Sequence, residues 1–213
     1  MPKITQISEN KKNKDRVSIY VEDQFVLACH KELIYTKGLK KDQEIDIELL
    51  KEIAHEDDYF KAKDIAFKFL EKNMKTENQL RDKLLEKEFE PVTIDRVVVL
   101  LKEYKLLDDH RYTQQFLAEK LRSRGLKKVT FELHQKGITK EVLQEVLDTM
   151  DTGSIEEESC FKVAEKKYRE IQKKEVDHYK QKNKLYAFLA GKGYDYETIN
   201  SVIRRVMDET LED

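Results

Sequence analysis

The chain has 213 residues, 39% of them hydrophobic and 39% charged, and its acids and bases nearly cancel to a formal net charge of −2. That balance describes a soluble chain with long exposed helical faces and carries no net signal for a nucleic-acid partner, while two prolines and six glycines argue against a sandwich or a Rossmann sheet. No run approaches the ~20 apolar residues of a membrane span, and Met-Pro-Lys-Ile-Thr at the N-terminus lacks the apolar core of a signal peptide, so a cytoplasmic protein is expected.

Residues 1–55 differ in texture from the remainder. Ile4 and Ile7, the alternation Arg16-Val17-Ser18-Ile19-Tyr20-Val21, and Phe25-Val26-Leu27-Ala28 after a short Glu22-Asp23-Gln24 turn read as strands with a hairpin. A short helix over 30–36, stopped by Gly38, and another over 47–54 complete a small α+β cap. Two or three strands cannot stand alone, so the cap must pack on its own helices or on the first repeat. From Tyr59 a helix carries Ala62, Ala66, Phe69 and Leu70 on one face, and Thr76-Glu77-Asn78-Gln79 is a capping box for the next helix.

The rest of the chain is one pattern written three times. With Lys87, Lys136 and Lys192 as origins, apolar residues stand seven and three before and two, seven, ten, eleven and fourteen after. For the second copy these are Val129, Leu133, Ile138, Leu143, Val146, Leu147 and Met150. The spacing is helical on both sides of the origin, so each copy is two amphipathic helices and a tight turn. Gly137 and Gly193 suit the left-handed residue that ends a helix, and Thr139 and Asp195 suit the cap of the next; the first copy has Glu88 in place of glycine. With a leading helix for each, the reading is mainly α: a cap at 1–55 and three-helix repeats at 56–106, 107–153 and 154–213. The segment 151–154 is the best linker candidate.

No phosphate loop, glycine fingerprint, nucleophile elbow or metal-spaced Cys/His set is present, and Cys29 and Cys160 read as reduced thiols. His30, His55, His110, His134 and His178 lack carboxylates at ligand spacing and take structural or solvated roles. Asp108-Asp109 reads as a cap plus a favourable charge at a helix start. No catalytic residue, cofactor or metal is expected, and an enzyme is not. Base concentrates at Lys120, Arg122, Arg124, Lys127 and Lys128, and again at Lys166, Lys167, Arg169, Lys173, Lys174 and Lys180. Acid collects at 56–58, at 156–158 and in the C-terminal tail. A helix-turn-helix reading would need basic second helices, yet those helices expose Asp95, Glu103, Glu141, Glu145 and Asp148. Nucleic acid, single- or double-stranded, would meet only the basic loop of the second repeat, through phosphates.

Leu107-Asp108-Asp109-His110-Arg111-Tyr112, Phe116-Leu117-Ala118, the basic turn ending in Lys127-Lys128, and Glu132-Leu133-His134-Gln135-Lys136-Gly137-Ile138 together resemble the central signature of the RecX family of regulatory proteins. Residues 14–20 and 38–41 resemble its longer members, with Thr113 where alanine is frequent and Asp42 where glycine is common. The resemblance implies tandem three-helix repeats in an elongated, curved array. It also implies binding to RecA filaments on single-stranded DNA, with inhibition of strand exchange, ATP hydrolysis and co-protease function by groove occupancy or blocked growth. Arg111, Tyr112, Arg122, Arg124, Lys127, Lys128, Lys136, Lys166, Lys167 and Arg169 are the expected contact residues of a monomer, without a membrane partner. The alternative is a non-specific DNA-binding array acting through phosphates.

Overall fold

The computed structural model describes residues 2–209, and of Glu209 the backbone only; the end of the acidic C-terminal tail, from residue 210, lies outside the described residues. The N-terminal region forms an antiparallel sheet in the order β1 (Ile4–Glu9), β2 (Arg16–Val21), β3 (Gln24–His30). Alternation along β2 buries Val17, Ile19 and Val21 with Ile4, Cys29, Leu33, Leu39, Ile45 and Ile53. The β2–β3 hairpin turns on Glu22 and Asp23, both at positive φ (49° and 62°), which is the twist a two-residue turn between right-twisted strands requires. Asp42, at φ 67°, occupies a left-handed conformation that glycine would adopt at no steric cost.

Helix α1 (Lys31–Thr36) is capped by the His30 ring, which accepts the Glu32 N–H and stacks on Phe60 at 4.2 Å. The next helix corrects the sequence reading. In place of separate helices at 47–54 and from Tyr59, α2 (Ile47–Leu70) runs unbroken for 24 residues, so the expected boundary at residue 55 falls inside a helix. The acids at 56–58 do not interrupt it because all three have partners, Asp58 taking the Lys61 ammonium at 2.9 Å. Asp57, 2% exposed, accepts two bonds from the Arg16 guanidinium (2.7 and 3.1 Å) and one from the His30 N–H (2.8 Å), with the Lys61 ammonium at 3.0 Å. Glu56 receives both Arg96 nitrogens at 2.9 and 3.0 Å. A run that looks solvated thus ties α2 to the sheet and to α4 (Pro91–Glu103).

Between them lies α3 (Glu77–Leu85), whose capping box forms as expected: the Gln79 N–H donates to Thr76 Oγ1 and the Thr76 N–H to Gln79 Oε1, both at 3.2 Å. The second repeat is α5 (Asp109–Lys120), α6 (Leu126–Gln135) and α7 (Lys140–Thr149); the third is α8 (Thr152–Gln172), α9 (His178–Lys192) and α10 (Tyr196–Glu209). Each has its own core, one around Leu117, Leu121, Val129, Leu133, Ile138, Leu143 and Val146, the other around Tyr168, Leu185, Leu189, Ile199, Val202 and Val206. The supposed linker at 151–154 is the start of α8, where Asp151 accepts the Ser154 N–H at 3.2 Å.

The chain divides into two compact units: one holds the cap, α2, most of α3 and α4, and the other holds Lys75–Gln79 with everything from Leu107 onward. Within the second unit the same joint is made twice. Eleven and ten residues before Lys87 stand Thr76 and Glu77; at the same distances before Lys136 stand Gly125 and Leu126. Thr76 Oγ1 donates to the Lys136 carbonyl (2.6 Å), and the Gly125 N–H to the Lys192 carbonyl (3.0 Å). The Glu77 N–H donates to Asp109 (2.9 Å), and the Leu126 N–H to Glu156 (2.9 Å). Each joint therefore meets one helix start with a turn carbonyl and with an acid that takes an orphan amide, both from the following repeat.

Candidate partner-binding surface

Asp108 caps α5 by accepting the Arg111 N–H at 2.9 Å, whereas Asp109 faces the other way and caps α3. The pair that would tempt a catalytic reading is fully occupied with two helix starts. Thr139 caps α7 (3.3 Å from the Val142 N), and Asp195 accepts the Thr198 N–H at 2.8 Å. Gly137 and Gly193 hold φ of 83° and 92°. A Cβ on Gly125 would lie 2.1 Å from the backbone of Gly193, so the joint between the second and third repeats closes only on glycine. Thr113, buried, spends its hydroxyl on the Asp109 carbonyl at 2.7 Å.

The ten expected contact residues occur in separate places. Arg111 and Arg122 are exposed and form no ion pair among the described residues. Arg122 lines a cavity of about 520 Å³ with Lys162, Glu158 and Ser159, where Lys162 is held by Glu158 at 2.5 Å. Tyr112 stacks on Phe116 (5.9 Å), and the ammonium groups of Lys120 and Lys136 each stand 5.6 Å from the Phe116 ring. Burial, with help from Asp109 and Glu119, raises the Tyr112 hydroxyl above its ordinary pKa. Lys166 and Lys167 line a smaller cavity with Phe188 and Lys192; Lys167 and Lys192 stand 5.2 and 5.6 Å from that ring.

Three expected residues are spent internally, Lys167 on Glu170 at 2.8 Å among them. Arg124 pairs with Glu132 at 2.5 Å, and Arg169 pairs with Glu165 one turn earlier on α8. His110 has a structural role as well: its Nε2 lies 2.5 Å from Glu145 Oε2, across α5 and α7, although the two are 35 residues apart in sequence. At 156–158 the acid is not all surface, since Glu156 is buried. Burial, reinforced by Asp195, raises its carboxyl above the usual range in spite of the Leu126 N–H. The thiols of Cys29 and Cys160 are pushed up to about 11 and about 12, chiefly by burial and then by Asp57 and Glu156 respectively, which leaves them unreactive. Among the described residues no group of three or more His, Cys, Asp or Glu side chains is placed to hold a metal ion, and no helix is long and apolar enough to cross a membrane.

Lys127 and Lys128 lie in the first turn of α6 and line a groove of about 620 Å³ at the joint of the second and third repeats. Aromatic residues line it too: Tyr194, the apolar position two after Lys192, and three that sequence reasoning passed over, Phe131, Tyr186 and Tyr196. Phe131 and Tyr196 are 60% and 68% exposed. The signal for these two was present as an aromatic standing off the apolar period, five before Lys136 and four after Lys192.

Tandem three-helix repeats after a small sheet, with ion-paired acids, buried thiols and exposed basic and aromatic clusters, define a helical-repeat protein. The chain belongs to the RecX family of regulatory proteins. The family's models match in series, the RecX N-terminal domain at residues 2–46 and its first, second and third three-helix domains at 62–99, 108–147 and 155–203. A protein of Clostridium perfringens called Regulatory protein RecX is 47% identical over 97% of both chains, and one of Clostridium tetani is 43% identical over 96% of this chain and 94% of that one. A crystal structure of regulatory protein RecX shares the fold with a TM-score of 0.76 at 23% identity, covering 95% of this chain and 98% of the other. That of RecX from Lactobacillus salivarius gives 0.64 at 22% identity over 70% and 97%.

Proposed function

We propose that this protein is a non-enzymatic cytoplasmic regulator that binds, as a monomer, RecA filaments on single-stranded DNA. Binding inhibits strand exchange, ATP hydrolysis and co-protease activity, and so restrains recombination, DNA repair and the SOS response. Membership of the RecX family over almost the whole chain carries the reading. Arg111, Arg122, Lys127 and Lys128 are the basic groups left for contact with filament protein or its DNA, joined by the Lys136–Phe116–Tyr112 stack and by Lys166. Several weak contacts along a repeated polymer add in effect, because each one engaged raises the local concentration of the next. Direct action on naked DNA is disfavoured by the acids exposed on α4 and α7, which phosphate would repel.

Titrating the protein into RecA on single-stranded DNA at saturating ATP tests the reading. Hydrolysis should fall at protein concentrations too low to cover the DNA. Hydrolysis that falls only in proportion to added DNA-binding capacity, and recovers with excess DNA, would overturn it.

A further inference from the structure

We propose that the groove at the joint of the second and third repeats docks a segment of the partner protein that presents an apolar or aromatic side chain flanked by carboxylates. This inference rests on the filament reading above and adds where on this chain a protein contact is made and with what chemistry.

Phe131 on α6 and Tyr196 at the start of α10 are 60% and 68% exposed, and Tyr186 packs edge-on against Tyr196 at 6.4 Å between centroids. The groove's volume of about 620 Å³ accommodates bulky side chains, and exposed aromatics around such a recess are the composition of interface anchors. Lys127 and Lys128 supply the charge. They stand exposed in the first turn of α6, where the Glu156 carboxylate takes the Leu126 N–H. Their ammonium groups can meet a carboxylate carried beside an apolar side chain. A nucleic-acid strand fits less well. Two lysines are few for consecutive phosphates. Aromatic anchor with flanking carboxylate is the chemistry that uses every group present.

The test replaces Phe131 by p-benzoylphenylalanine in the full chain, irradiates it on RecA filaments assembled on poly(dT), and identifies the adduct by mass spectrometry. An adduct on a RecA segment holding an apolar residue and at least one neighbouring Asp or Glu is expected. Phe131→Ala and Tyr196→Ala should each weaken capture by the filament about tenfold. Their melting temperatures should stay unchanged, since both side chains project from the core. An adduct on DNA, an adduct on a segment without carboxylates, or undiminished capture by both variants overturns the groove assignment and leaves the filament reading standing. Failure of the unmodified protein to be captured at all overturns both.

Discussion

Asp57 and Glu156 are both carboxylates buried against helices, and their surroundings push them in opposite directions. At Asp57 burial opposes ionisation, but the bonds from Arg16, Lys61 and the His30 N–H outweigh it and hold the carboxyl below its ordinary range. Its contribution to stability is therefore present above the ordinary carboxylate pKa and is lost as pH falls through the depressed value. Asp57→Asn should cost the first unit about 3 kcal/mol in urea denaturation, near the lower end for a broken buried pair because Arg16 retains some access to water. At Glu156 burial wins and the carboxyl is raised, so its contribution is present below the ordinary glutamate pKa and is lost as pH rises through the raised value. Glu156→Gln keeps an oxygen to accept the Leu126 N–H and removes the buried charge. The variant should be more stable than the parent at pH 7, and the difference should shrink as pH is lowered below the glutamate range. A variant that is less stable at pH 7 would show that the charge itself holds the joint.

At the scale of elements, the helix starts and turns were legible because they are local. A capping box, a glycine after a helix and a three-four apolar period each act within a few residues, so Thr76, Gly137, Thr139, Gly193 and Asp195 fall where sequence reasoning puts them. The first repeat obeys the same geometry against its sequence, with Glu88 at φ 62° in the place of Gly137 and Gly193. A left-handed conformation costs a residue with a Cβ about 1 kcal/mol, so Glu88→Gly should stabilise the first unit by up to about that amount. Gly193→Ala should destabilise the second, because its Cβ would lie 2.4 Å from that of Lys128. Equal melting temperatures for Glu88→Gly and the parent would remove the strain argument. What failed at this scale failed for non-local reasons. The separate helices expected at 47–54 and from Tyr59 are one, and two of the partners that hold the acids between them lie 41 and 40 residues away, at Arg16 and Arg96.

At the scale of the whole molecule the same limit governs the candidate surface. A basic run can be read from the sequence, but not which bases are already paired. Arg124 meets Glu132, two turns along α6, and the rings that complete the groove come from α6, α9 and α10. Bases of the same run should therefore behave differently. Replacing Arg122, Lys127 and Lys128 together by alanine should weaken filament capture at least about tenfold without lowering the melting temperature. Arg124→Ala should leave capture nearly intact and cost under about 1 kcal/mol of stability, as expected of a part-exposed ion pair.

The most direct measurement of filament regulation is co-sedimentation of the protein with RecA filaments on single-stranded DNA, beside the same DNA without RecA, at one near-physiological salt concentration. Preferential capture by the filament is expected, reduced by the triple alanine variant and retained by Arg124→Ala. Equal capture by naked DNA, falling steeply with added salt, would contradict it.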